Sequence, residues 1–122
     1  MKKSLDTEYL LQQYGIWLRV QAGVPRYVSP QWALMRDKIQ QGGEPAPNIL
    51  EETAMMIDRF ICRLYMRYPE AATALWNYYR YAGMTYRQLG RLMGIHHNKA
   101  EELVSVGFWW LDSSLDSYAD AA

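Results

Sequence analysis

Apolar positions in this chain recur at helical spacing, and strict alternation runs nowhere for long between turn signals. The clearest stripe is Leu50, Ala54, Ile57, Ile61, Leu64 and Tyr68, at steps of 4, 3, 4, 3 and 4. That period lays one apolar face along a helix and turns it toward a core. Asn48 is the expected N-cap of this helix, with Glu51 as its capping-box partner. Glu51 and Glu52 stand where the helix dipole favours negative charge. Pro69 breaks the helix and starts another, expected to reach Tyr81 and stop at Gly83. Two more are expected, from Thr85 to Met93 and from about His96 to Tyr118. The polar, acidic tail beyond Leu115 is expected to fray.

Upstream, a first helix is expected from Ser4 or Asp6 to about Gln21, with Leu10, Tyr14, Trp17 and Leu18 at helical spacing. Gly15 weakens its middle, and Gly23-Val24-Pro25 ends it. Ser29-Pro30 pairs a cap with a first-turn proline and opens a short helix carrying Trp32, Leu34, Met35 and Ile39. That helix stops at Gly42-Gly43, and Gly42 to Pro47 reads as a linker. The expected fold class is all-α, without internal repeats. Residues 1–48 hold the N-terminal helices and linker, residues 49–122 hold the second unit, and the two are expected to pack as one domain.

The stretch Tyr86 to Ser105, YRQLGRLMGIHHNKAEELVS, fits a helix-turn-helix. Thr85 caps its first helix, and Leu89 and Met93 face the core. Gly90 stands where two helices approach closely, and Gly94 permits the left-handed backbone of a tight turn. Ile95 plugs the space between the helices, while Ala100 and Leu103 hold the second helix down. An ordinary helical hairpin with a glycine turn is the alternative. In a DNA-binding motif the second helix presents its N-terminal residues to base edges in the major groove. His97, Asn98, Glu101, Glu102 and Ser105 then face outward. Asn98 suits an adenine edge, a glutamate suits cytosine, and Lys99 reaches a phosphate. Glu101 and Glu102 admit a second reading, a solvated face that contacts protein, because adjacent acids repel a phosphate backbone.

Charge changes the picture. The chain is neutral over 122 residues, with 13 basic and 13 acidic side chains. Residues 59–99 hold seven bases (Arg59, Arg63, Arg67, Arg80, Arg87, Arg91 and Lys99) against Glu70, a net +6. Residues 100–122 hold five acids and no base, a net −5, and residues 1–58 make up the remaining −1. Arg59, Arg63 and Arg67 form a ridge at steps of four, and Arg87 and Arg91 repeat that step. Guanidinium forks suit phosphate oxygens, so the basic centre points to a nucleic-acid backbone, with a solvated face as the plainer alternative.

Other chemistry is thinly represented. His96 and His97 with Glu101 lack the further ligands a metal site needs, and no cofactor loop is present. His96 either caps its helix or touches DNA. Cys62 is the lone cysteine and is expected to be a small buried residue. No constellation of acid, base and nucleophile supports an enzyme. Trp76, Tyr78, Tyr79, Tyr81 and Tyr86 surround the motif, either as core or as stacking surfaces for bases. Phe108, Trp109 and Trp110 are consecutive and cannot all face one core, so at least one is expected to be exposed or at a partner contact. No apolar run approaches a membrane span, and Asp6 and Glu8 argue against Met1-Lys2-Lys3 opening a secretion signal.

Taken in order, these residues resemble the short antitermination protein Q family of lambdoid phages and prophages. The resemblance covers most of the chain. It runs through Gly15-Ile16-Trp17, Tyr27-Val28-Ser29-Pro30, Glu51-Glu52-Thr53-Ala54-Met55-Met56-Ile57-Asp58, Gly83-Met84-Thr85 and Lys99-Ala100-Glu101. It departs at Glu51-Glu52-Thr53, where the family often has three aspartates. The helix-turn-helix is also similar to that of the promoter-reading domain of sigma factors. The resemblance implies a DNA-binding protein that loads at a phage late promoter. There it engages sigma-bound, paused RNA polymerase near the RNA exit channel and makes it read through pauses and terminators. The implied compartment is the bacterial cytoplasm. Carried over, the DNA role falls on His97, Asn98 and Lys99, with Arg87 and Arg91 on phosphates. The ridge of Arg59, Arg63 and Arg67 is a phosphate or nascent-RNA surface on charge alone. The competing expectations are a repressor or activator that affects initiation only, and an interaction protein whose helix-turn-helix binds protein.

Overall fold

A computed structural model of the chain describes residues 6–22 and 46–121. Among the described residues it holds five helices and no strand: α1 (Thr7–Ala22), α2 (Glu51–Arg67), α3 (Pro69–Arg80), α4 (Tyr86–Met93) and α5 (His97–Ala121). The fold is all-α. The Ser4 cap, the Gly23-Val24-Pro25 stop, the helix expected from Ser29-Pro30 to Gly42-Gly43, and most of the Gly42 to Pro47 linker lie outside the described residues. None of the described helices is long and apolar enough to cross a membrane.

Asp6 caps α1 by accepting the Tyr9 N–H at 3.1 Å. Leu11 and Tyr14 enter the core completely, and Trp17 and Leu18 cover its edge. Gly15 leaves the helix intact and serves packing instead. A Cβ there would stand 2.1 Å from the carbonyl oxygen of Tyr79, so only glycine lets α1 lie against the last turn of α3. Arg19 completes that contact, donating to the carbonyls of Tyr79 and Arg80 at 3.2 and 3.0 Å. Those carbonyls belong to a helix C-terminus, which has no intrahelical donor to offer them.

The α2 stripe is shorter than the periodicity suggests. Ala54, Ile57, Ile61 and Leu64 are buried, joined by Phe60, but Leu50 and Tyr68 are exposed. Both lie outside the helix: Leu50 precedes it in extended backbone, and Tyr68 is the break between α2 and α3. Asn48 does not cap α2. Its N–H donates to Gln13 at 2.6 Å and its side chain to the Tyr9 hydroxyl at 2.6 Å, so it is tied to α1 and the helix opens at Glu51. Pro69 occupies the first turn of α3, where its missing N–H costs nothing.

The expected fraying beyond Leu115 is corrected. Helix α5 continues to Ala121 because Leu115 is fully buried and Tyr118 meets the Phe60 ring edge-on at 6.2 Å. Side-chain bonds also join α1 to α5 and α2. Thr7 donates to the buried Asp112 at 2.5 Å, and the Tyr14 hydroxyl donates to Asp58 at 2.5 Å. Burial, then the Asp58 carboxylate, raises the Tyr14 hydroxyl pKa well above its usual value. Helices α3 and α5 form the centre, with α1, α2 and α4 packed around them.

Candidate nucleic-acid interface

The pair α4–α5 is built from local rules that act in sequence. Thr85 accepts the Gln88 N–H at 3.1 Å, and Gln88 accepts the Thr85 N–H at 3.0 Å, a reciprocal capping box. Helix α4 ends at Gly94 with φ 71 and ψ 33, the left-handed backbone that side chains resist. Ile95 N–H then donates to the Gly90 carbonyl at 2.8 Å. At Gly90 a Cβ would meet the Ile95 carbonyl oxygen at 2.7 Å and the His97 N at 3.2 Å. The chain therefore folds back on α4 with no room for any side chain at position 90. His96 precedes α5 and caps it, its ring Nδ1 accepting the Asn98 N–H at 3.1 Å. Of the two roles expected for His96, capping is the one its geometry serves. Leu89 and Ala100 are fully buried, Leu103 nearly so, and Met93 and Ile95 close the edges.

The opposite surface carries the candidate site. Arg87 and Arg91 on α4 are exposed, as are Asn98, Lys99, Glu101, Glu102 and Ser105 on α5; His97 is half-buried. The rings of His96 and His97 stack at 4.2 Å. Partial burial holds the His97 imidazole below its usual value, aided by the charges of His96 and Arg87 and opposed by Glu101. Arg87, His97 and Glu101 thus share one electrostatic neighbourhood.

The aromatic cluster is packing. Tyr86 stacks on Tyr78 at 4.8 Å, and Tyr78 meets Tyr79 edge-on at 5.1 Å, which docks α4 onto α3. Burial, then the bond to Tyr78, pushes the Tyr86 hydroxyl up to about 12. Arg80 covers Trp76 at 4.2 Å and Tyr81 at 4.6 Å. In the run Phe108-Trp109-Trp110 the middle residue is 62% exposed, while its neighbours pack on the core.

One expectation changes here. Cys62 is exposed. It follows the buried Ile61 on the outer side of α2 and lines a groove of about 480 Å³ with Asp58, Tyr65, Trp76 and Arg80. The ridge of Arg59, Arg63 and Arg67 is exposed, and its two ends lie at different distances from the α4–α5 turn. Its neighbour Phe60 touches Tyr118, which stands 21 positions beyond His97 on α5. At about 1.5 Å per residue that is roughly 30 Å for the Arg59 end, and about half that where Leu64 meets the Cβ position of Gly107. Gln88 is a signal legible in the sequence: glutamine three positions after a capping threonine is the second half of a capping box. Comparison of the chain with protein-family models, curated proteins and solved structures finds no match.

Proposed function

We propose that this protein is a phage late-gene antitermination protein of the Q type, with α4–α5 acting as its helix-turn-helix. The observation that carries the reading is the exposed first turn of α5 beside two exposed arginines of α4. In the major groove that turn offers Asn98 to an adenine edge and Lys99 to a phosphate. Arg87 and Arg91 supply forks for phosphates on the flank. His97 stands on the same turn, between Arg87 and Glu101. Glu101 and Glu102 limit non-specific adhesion to DNA and favour a site that offers cytosine amino groups.

On this reading the protein binds a DNA site at the late promoter and is transferred to sigma-bound, paused polymerase near the RNA exit channel. It stays there as the enzyme passes pauses and terminators. The order of motifs from Gly15-Ile16-Trp17 to Lys99-Ala100-Glu101 supports this over other helix-turn-helix roles. The test is transcription with purified polymerase holoenzyme across a terminator. Readthrough should rise with the protein and should require the promoter-proximal DNA site. Equal readthrough without that site would remove the loading step from the mechanism.

A second reading is a dimeric regulator of initiation. Val106 and Trp109, 45% and 62% exposed and three positions apart on α5, favour it as a contact face. Such a protein would change transcript initiation and leave termination untouched.

A further inference from the structure

The outward side of α2 differs in composition from a surface made for phosphates. Met55, Arg59, Arg63 and Arg67 follow at steps of four and are all exposed. Beside them stand Met66, 85% exposed, and Tyr65, 55% exposed. Helix α2 contains three arginines and no lysine. Arginine, methionine and aromatic side chains are enriched at protein interfaces, and lysine is depleted there. A phosphate backbone gains nothing from an exposed thioether, whereas a protein partner does.

A cleft of about 370 Å³ adjoins the ridge, lined by Glu52, Thr53, Met55, Met56, Arg59 and Tyr118. Met55, Met56 and the Tyr118 ring give it an apolar side that suits one large apolar side chain, and Glu52, Thr53 and Arg59 give it a polar side on which Arg59 can meet a carboxylate. The ridge is also partly ordered in advance. Arg63 lies over the Phe60 ring at 5.3 Å, and Phe60 is itself held by Tyr118. A side chain ordered before binding loses less entropy on binding. The acids of α2, Glu51, Glu52 and Asp58, all precede Arg59, and from Arg59 to Arg67 the helix carries three arginines and no acid.

We propose that this face of α2 docks an acidic protein segment that inserts a large apolar residue into the Met55–Tyr118 cleft. Resting on the antitermination reading, the partner is RNA polymerase holoenzyme. The distance of roughly 30 Å along α5 between the Met55–Tyr118 cleft and the α4–α5 turn leaves room for DNA and polymerase to be held together.

The test compares wild type, the double variant Arg59→Glu/Arg63→Glu and, separately, Met66→Ala. Each is measured against purified polymerase holoenzyme, a mixed-sequence DNA duplex and a single-stranded oligoribonucleotide. Thermal melts confirm that each variant folds, and Met66→Ala carries the test if the charge reversals do not. The double variant should bind polymerase at least about tenfold more weakly, and Met66→Ala should bind it about threefold to tenfold more weakly. DNA and RNA affinities and their salt slopes should stay as in wild type. Undiminished polymerase binding overturns the proposal and leaves the antitermination reading standing. Nucleic-acid affinity that falls with a flatter salt slope also overturns it, and makes the ridge a phosphate surface. A wild-type protein that does not bind polymerase overturns both.

Discussion

Replacing Gly90 by alanine sets two effects against each other. Helix propensity favours alanine in a helix interior by about 1 kcal/mol. Sterics oppose it. The new Cβ stands 2.7 Å from the Ile95 carbonyl oxygen and 3.2 and 3.3 Å from the N and Cα of His97. Carbon meets oxygen without strain at roughly 3.3 Å or more, so the backbones must part by about 0.6 Å. All three opposing atoms are backbone, and no rotamer change relieves them. The Ile95–Gly90 hydrogen bond of 2.8 Å spans the same gap and stretches with it. Overpacking against such atoms costs about 3 kcal/mol, which leaves about 2 kcal/mol of net destabilisation. In a domain of this size that lowers the melting midpoint by about 8 °C. Circular dichroism melts of the two proteins measure it directly. Gly94→Ala is the comparison: nothing lies within 4 Å of its Cβ, and only the φ of 71 resists. That costs about 1–2 kcal/mol, without parting the helices. A Gly90→Ala midpoint equal to or above wild type means that propensity wins and that α4 and α5 do not approach as described.

Other perturbations act on single, separable features. Thr85→Ala removes the cap from the Gln88 N–H and should cost about 1 kcal/mol in a denaturant titration. Tyr14→Phe deletes the 2.5 Å bond to Asp58; because Asp58 stays solvated, the cost should be about 1 kcal/mol, read in the same titration. The lowered pKa of His97 makes its contribution to stability pH-dependent. The unfolded ring takes up its proton first, so the contribution is complete above pH 6.5 and declines as pH falls below it toward the lower folded value. Arg87→Ala removes one of the charges that lower this pKa, so the His97 midpoint should rise in an NMR titration of the ring protons.

The helices were legible where local signals and packing agree. Pro69 opening α3, Thr85 opening α4 and Gly94 closing it each follow from backbone chemistry that no tertiary contact overrides. The turn was legible as well, because Gly90 and Gly94 are needed for two different reasons. Asn48 misled because its side chain meets Tyr9, 39 positions away, and cap propensity carries no information about such a partner. The tail misled for the same reason: its polarity argues for fraying, and only the Phe60–Tyr118 contact reveals why the helix persists. For Cys62, residue type points inward and position points outward. Its neighbour Ile61 already faces the core, which turns position 62 outward. Charge located the arginines but not their faces. The distance between Arg59 and the α4–α5 turn depends on how α2 lies along α5, which no spacing in the sequence encodes.

The DNA-reading role of the α4–α5 turn is tested most directly by binding assays with Asn98→Ala and Arg87→Ala across DNA sequence and salt. Asn98→Ala should lose sequence preference, at about 1–3 kcal/mol for the base it reads, and keep its salt dependence. Arg87→Ala should weaken binding alike on all sequences and flatten the salt slope by about one. If both variants bind every sequence as wild type does, at every salt concentration, the turn does not contact DNA.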